Sequence, residues 1–194
     1  YPAAPQGSKH YRLYRRHKGC TMVNRIARML KENGAVEYGN FTLSSGARSS
    51  YYLDVKSALA NPAVLDAVGH EMAGISSFDV VAGVAVGGVP LAVATSLASG
   101  KPYAIIRAGE KSHGKGGRII GRVTGMRVLL VEDVTTSGGS VIRGIDALRA
   151  EGGLVDTVIT VVDREAGAEE ALARIGVRLV ALSRASEIVG DPHS

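Results

Sequence analysis

Between Val128 and Ser140 the sequence reads VLLVEDVTTSGGS, which places two adjacent carboxylates, Glu132 and Asp133, directly ahead of a loop of hydroxyls and glycines. The two parts suit different partners. Free backbone N–H groups at a helix N-terminus, with the positive end of the helix dipole behind them, favour a phosphate. The hydroxyls of Thr135, Thr136, Ser137 and Ser140 can add hydrogen bonds to it, and Gly138 and Gly139 let the backbone come close to the anion. Carboxylates beside a phosphate would repel it, so Glu132 and Asp133 are better suited to accept hydrogen bonds from sugar hydroxyls. In that order the residues describe a site for a phosphorylated sugar. The plainer alternative is a strand-to-helix turn that ends in acids. A Walker-type nucleotide loop is disfavoured, because no lysine follows the glycines and GxxxxGK[ST] is absent.

A second segment with chemistry is RAGEKSHGKGGRI, residues 107 to 119, which combines four glycines with Arg107, Lys111, His113, Lys115 and Arg118. It is too polar to be buried and is flanked by strand-like runs. Such a loop can close over an anionic ligand as lids do, or it can be a solvated surface loop.

Elements must hold these segments in place. The apolar run at Val128–Val131 argues a buried strand, and Val141, Ile142, Ile145 and Leu148 argue a helix opened by the glycine loop. Upstream, Ile26, Met29 and Leu30 recur at helical spacing until Asn33-Gly34. Phe41 to Leu43 and Ser50 to Val55 read as strands joined by the turn residues Ser44-Ser45-Gly46. From Asn61-Pro62 a helix follows through Val64, Leu65, Val68 and Met72. Then strands and helices alternate: FDVVAGVAV, a helix from Pro90 to Ser99, PYAIIR, RVLLVED, a helix from Ser140 to Glu151, TVITVVD, a helix from Ala166 to Ile175, and VRLVAL. That alternation predicts an α/β fold with a central, mostly parallel sheet flanked by helices, preceded by a small helix and β-hairpin hood at about residues 22 to 60. Ligands then gather along the carboxyl edge of the sheet. Residues 84 to 90, 107 to 119, 132 to 140 and 161 to 167 are expected to meet at one crevice there.

The strand, acid pair and hydroxyl-rich loop resemble the signature of the type I phosphoribosyltransferases, enzymes that use 5-phosphoribosyl 1-diphosphate. Within that family YGNFTLSSGARSSYYLDVK, residues 38 to 56, resembles the N-terminal motif of the members that use orotate. FTLSSG, SSYYLDVK, GVAVGGVPLA, EKSHGKGG, VEDVTTSGGS and VVDREAG stand in family order over residues 22 to about 185. The resemblance implies joining of orotate to the ribosyl donor, giving orotidine 5′-monophosphate and pyrophosphate in pyrimidine biosynthesis.

It also implies roles. Glu132 and Asp133 would hold the ribose hydroxyls, and Thr135, Thr136, Ser137, Gly138, Gly139 and Ser140 the 5′-phosphate. Arg107, Lys111 and His113 would hold the pyrophosphate. Lys111, His113 and Asp133 are the catalytic candidates, with Lys111 supplying charge and His113 a hydrogen bond or proton to the leaving diphosphate as oxocarbenium-like charge develops on the sugar. Thr136 and Arg164 would contact orotate, the guanidinium pairing with its carboxylate; a surface ion pair with Glu165 is the other reading of Arg164. Tyr51 and Tyr52 would lie close to the base or form the hairpin core. Mg²⁺ is implied as cofactor, held by the diphosphate and waters rather than by side chains. The family pattern also implies a homodimer in which the lid of one subunit covers the other's site.

The chain departs from that pattern at Ser44 and Gly87, where many bacterial members carry Lys, and at Ala108, where another basic residue is usual. Three expected cations are missing, which leaves Arg107, Lys111, His113 and backbone N–H groups with more of the anion binding.

Composition narrows the remaining possibilities. With 194 residues, 45% of them hydrophobic, the chain can build one domain with a substantial core. No apolar run reaches the ~18 residues of a membrane span. A single cysteine, Cys20, leaves no internal disulfide framework and suits a reducing cytoplasm. The net charge of +5 arises in residues 1 to 21, which hold five basic residues and no acid; the remainder balances 18 basic against 18 acidic residues. This leader is expected to be unstructured or foreign to the enzyme proper, with the single domain at 22–194. As a nucleic-acid arm it would bind only weakly and in a salt-sensitive way, so nucleic acid is not expected as a partner. Two other functions stay open at this stage: a phosphoribosyltransferase for another base, and a non-catalytic regulator that senses the sugar diphosphate and binds nucleic acid.

Overall fold

The computed structural model describes residues 22–42, 48–109 and 117–189. Six strands form the central sheet: β3 (Val80–Val84), β4 (Tyr103–Ile106), β5 (Ile119–Ile120), β6 (Arg127–Thr135), β7 (Leu154–Asp163) and β8 (Arg178–Arg184). Their order is β5-β4-β3-β6-β7-β8, parallel throughout except for β5, which runs antiparallel to β4 at the edge. Apolar residues occupy successive positions of β3, β6 and β7 because both faces of the sheet are covered. Along β6, Val128 and Leu130 join one hydrophobic cluster while Leu129 and Val131 join the other, the two-residue alternation of a strand.

One cluster packs against Ile26 and Leu30 of α1 (Met22–Glu32), Val64, Val68 and Met72 of α3 (Pro62–Ile75), and Leu91 of α4 (Gly88–Ser99). The other packs against Val141, Ile145 and Leu148 of α5 (Gly139–Ala150) and Leu172 of α6 (Ala168–Ala173). Local chemistry sets the helix starts. Asn61 caps α3 by accepting from the Ala63 N–H at 2.9 Å, with Pro62 at the first helical position, where its missing N–H costs nothing.

The hood is present as α1 followed by an antiparallel hairpin of β1 (Val36–Thr42) and β2 (Arg48–Leu53). Several boundaries differ from the sequence reading. β1 begins at Val36, since pairing with Leu53 rather than apolar character defines its start. Val55 is not strand: it opens a short helix, α2 (Val55–Leu59), because Asp54 accepts from the Ser57 N–H at 3.1 Å and its hydroxyl at 2.6 Å. A terminal helix, α7 (Ala185–Val189), was not anticipated. Strand β6 also runs on through Thr135, so the acid pair lies inside the strand rather than at its end.

The strand order reverses between β3 and β6: the chain leaves β3 toward β4 on one side and continues from β6 to β7 and β8 on the other. Such a switch point opens a crevice at the carboxyl ends of the strands. Here the crevice is narrow. A Cβ on Gly83 would lie 2.1 Å from the Gly88 carbonyl oxygen, and one on Gly88 2.8 Å from the Val131 oxygen. Gly83→Ala should therefore push the turn after β3 away from β6 and lower stability by about 3 kcal/mol, measured by urea unfolding; an unchanged midpoint would show that the approach is not tight.

Candidate active site

The four segments expected to converge do begin side by side. Val84 is in register with Ile106, Gly83 with Val131 and Thr135 with Asp163. The Ala85 N–H donates to the Ile106 carbonyl at 2.8 Å, and the Arg164 N–H to that of Thr135 at 2.9 Å. Residues 110–116, with Lys111 and His113, lie outside the described residues, as do Ser44 and the leader with Cys20. Arg107 is half-buried at the end of β4, where its Nη1 donates to the Gly117 carbonyl at 3.2 Å and its backbone N–H to that of Arg118 at 2.8 Å. It thus joins the two described edges of the glycine-rich segment.

Both carboxylates of the pair are buried, Glu132 and Asp133 each at 5% exposure. A buried carboxylate is costly unless it is paired or protonated, and the two residues take different routes. Asp133 Oδ2 lies 2.8 Å from the Lys56 ammonium on α2, while Oδ1 accepts the Val134 N–H at 2.9 Å. Glu132 accepts a long hydrogen bond from the Asp133 N–H, at 3.3 Å. Burial first, and then the neighbouring Asp133, push the Glu132 carboxyl up to about 8. The Lys56 ammonium is held above its ordinary range by its bond to Asp133. The Lys56 ion pair compensates Asp133 and the raised value keeps the proton on Glu132, which lets two adjacent carboxyls sit in one buried place. Gly87 completes this corner: a Cβ there would fall 2.5–2.7 Å from the Asp133 carboxylate atoms.

The loop after β6 divides its hydroxyls. Thr135 is 1% exposed and donates to Asp163 Oδ1 at 3.1 Å, so it ties β6 to β7 instead of offering a hydroxyl to a phosphate. Thr136, Ser137 and Ser140 are exposed. Gly138 has φ +80°, a conformation that only glycine adopts readily, and its carbonyl accepts the first helical N–H, from Ile142, at 2.9 Å. No side chain caps the helix, which leaves the N–H groups of Gly139, Ser140 and Val141 directed out of its N-terminus as an anion site.

At the end of β7, Asp163 is buried and also accepts the Glu165 N–H at 3.2 Å. Arg164 is half-buried and makes no ion pair among the described residues. The pairing with Glu165 does not form, because that carboxylate accepts the Ser186 N–H at 3.2 Å at the start of α7. The structure separates the two tyrosines: Tyr51 packs partly buried against the core, while Tyr52 is 45% exposed and tilts against Phe41 with ring centres 5.7 Å apart.

Two residues of this site escaped the sequence reading. Asp163 had a signal in the VVD ending of its strand, the same apolar-run-then-acid pattern as VED. Lys56 had none, because only the fold brings α2 over β6. Among the described residues no group of three or more His, Cys, Asp or Glu could hold a metal ion. Asp133 and Glu132 are oxygen donors of the kind Mg²⁺ takes, but a lone pair of carboxyls fits a metal that keeps its waters and brings other oxygen ligands with it.

The Glu132 carboxyl gives a pH signature. Its folded value is raised above the ordinary 4.5, so the proton-linked stability is fully present below that value and is lost as pH rises through about 8. Glu132→Gln keeps a neutral side chain in place. Relative to the parent, the variant should gain a few kcal/mol between about pH 5 and about pH 9 in urea unfolding; parallel pH profiles would mean that Glu132 is ionised throughout.

Residues 54–178, which span this crevice, match the family model described as Phosphoribosyl transferase domain. The orotate phosphoribosyltransferase of Methanoculleus marisnigri is 62% identical over 168 residues, covering 87% of this chain and 99% of that protein. Among solved structures, the orotate phosphoribosyltransferase of Aeropyrum pernix superposes with a TM-score of 0.75 at 38% identity, over 84% of this chain and 96% of its own. That of Mycobacterium tuberculosis H37Rv, solved in complex with 5-phospho-alpha-D-ribosyl 1-diphosphate, gives 0.73 at 31%, over 88% and 100%. By sequence along nearly its whole relatives' length, and by the sheet and switch-point crevice beneath it, the chain belongs to the phosphoribosyltransferases and, within them, to the orotate phosphoribosyltransferase family.

Proposed function

We propose that this chain joins orotate to the ribosyl donor 5-phosphoribosyl 1-diphosphate at the β3/β6 crevice, releasing orotidine 5′-monophosphate and pyrophosphate. The observation that carries the reading is the sequence of groups at the end of β6: a buried Asp133 paired with Lys56, then exposed Thr136 and Ser137, then an uncapped helix N-terminus. A carboxylate and an anion site in that succession suit a ribose 5-phosphate.

In the reaction the bond from the anomeric carbon to the diphosphate oxygen breaks as a bond to the orotate ring nitrogen forms, and the proton that this nitrogen gives up balances the one taken by the leaving pyrophosphate or by solvent. Positive charge develops on the sugar and negative charge on the leaving group. Asp133 and Glu132 accept from the ribose hydroxyls, the first as carboxylate and the second through its carbonyl oxygen while protonated. The N–H groups at the start of α5, with Ser137 and Ser140, hold the 5′-phosphate. Arg164, pinned by its backbone to Thr135 and with no ion-pair partner among the described residues, pairs with the orotate carboxylate, and Thr136 bonds the same base. Arg107, Lys111 and His113 take the diphosphate, with His113 giving it a hydrogen bond or proton. Mg²⁺, held by the diphosphate and waters, would supply further positive charge to the leaving group. Tyr52, exposed beside the hood, is the better placed of the tyrosines to approach a base; Tyr51 serves the hairpin core.

The active form is a homodimer with the lid segment of each subunit over its partner's site, and the compartment is the reducing cytoplasm. Among the described residues no helix is long and apolar enough to cross a membrane.

Purified protein with the donor, Mg²⁺ and orotate should release pyrophosphate, and replacing orotate with uracil, hypoxanthine or adenine should abolish the release. Turnover with one of those bases but not with orotate would overturn the assignment. Lys111→Ala should lower turnover by about two to three orders of magnitude while leaving the unfolding midpoint in place, as removal of charge from the transition state does. Unchanged turnover would remove Lys111 from the mechanism.

A further inference from the structure

We propose that Lys56 is a further donor-binding residue, whose ammonium holds Asp133 in the unliganded protein and bonds the diphosphate of the ribosyl donor once the sugar is seated. The inference rests on the functional reading above and assigns its site another cation.

Lys56 is anchored at its base and free at its tip. Asp54 caps α2 through the Ser57 N–H and hydroxyl, and Val55 beside it is 1% exposed, which fixes where the lysine leaves the backbone. The side chain itself is 67% exposed, whereas that of Asp133, which it meets at 2.8 Å, is 7% exposed. A buried carboxylate thus draws a solvent-facing ammonium on a flexible stem to the mouth of the crevice. An ammonium has three donors, and the Asp133 bond uses one of them.

The position of that ammonium matters because of what stands opposite. The turn after β3 carries no side chain at Gly87, and none fits there while Asp133 stays in place, since a Cβ would come within 2.5 Å of the same Oδ2 that Lys56 contacts. The bare turn at Gly87 and the ammonium lie against the same carboxylate oxygen, so Lys56 supplies charge where the turn has no room for a side chain. Of the other described cations, Arg107 directs Nη1 to the Gly117 carbonyl, and Arg164 stands at the end of β7.

Ribose geometry connects the two partners of Lys56. The ribose hydroxyls that the acid pair accepts from and the diphosphate oxygen at the anomeric centre are carried by one five-membered ring, on adjacent or next-but-one carbons. A cation held on the carboxylate therefore meets the diphosphate when the sugar binds, and a bond to both needs only a turn of the ammonium. It also neutralises Asp133, which would otherwise repel the incoming anion at close range.

The test separates this role from simple positioning of Asp133. Lys56→Met and Lys56→Arg are compared with the parent for donor KM, orotate KM and binding of pyrophosphate by calorimetry in Mg²⁺ buffer, with the melting temperature checked for each. Lys56→Met should weaken both the donor and pyrophosphate tenfold or more and leave orotate KM within about twofold, and Lys56→Arg should recover most of the loss. Pyrophosphate has no ribose hydroxyl and makes no use of Asp133. Unchanged pyrophosphate affinity would overturn the proposal, even with a raised donor KM, and so would a loss that Lys56→Arg does not recover in a folded protein. Failure of the parent to turn over orotate would instead refute the functional reading, while pyrophosphate binding would still report on Lys56.

Discussion

The crevice depends on one close approach, that of the backbone after β3 to the last residues of β6. Parallel neighbours lie a fixed hydrogen-bonding distance apart, and a connection that turns away at the switch point normally leaves a gap filled by side chains. Here Gly83, Gly87 and Gly88 have no side chains to fill it, and Gly88 lies directly against the Val131 carbonyl. The result is a turn that reaches Asp133 with backbone alone. Everything that gives the site its character follows from that contact: the burial of the acid pair, the space kept open for a ligand, and the demand for a cation from elsewhere.

Burial then sorts the charges. Glu132 and Asp133 are identical in burial and adjacent in sequence, yet the Lys56 ammonium contacts Asp133. Its neighbour, which Lys56 does not contact, keeps its proton, because burial and the adjacent Asp133 outweigh the weaker pull of that ammonium. The anion site a few residues on is built from backbone N–H groups and exposed hydroxyls, which carry no net charge to be neutralised when the site is empty. The proposed sugar and phosphate sites thereby rest on different physics within nine residues of chain.

The supports around the site are less conspicuous. Asp163 gathers the Thr135 hydroxyl and the Glu165 N–H on one oxygen, and the Thr135 carbonyl takes the Arg164 N–H, so the ends of β6 and β7 are laced together. That lacing fixes the backbone from which Arg164 projects. Glu165, which looked like the guanidinium's natural partner in the sequence, instead terminates α7 by accepting the Ser186 N–H. Local adjacency lost to a helix end whose N–H groups had no other acceptor.

Much of this molecule was readable from residue type and spacing. Buried strands announce themselves as β-branched runs and helices as 3.6-residue patterns, because those periods come from backbone geometry shared by all proteins. The loop after β6 was legible for the same reason: glycines and small hydroxyls before an apolar helix describe their chemistry locally. The hairpin boundaries, the extension of β6 through the acid pair, and the part played by Thr135 were not legible, since each depends on a pairing partner in another element. Lys56 is the clearest case. In the linear chain it is one lysine after a valine, and its meaning arises only when α2 is laid across β6, because an ion pair is a relation in space between residues whose order along the chain carries no record of it.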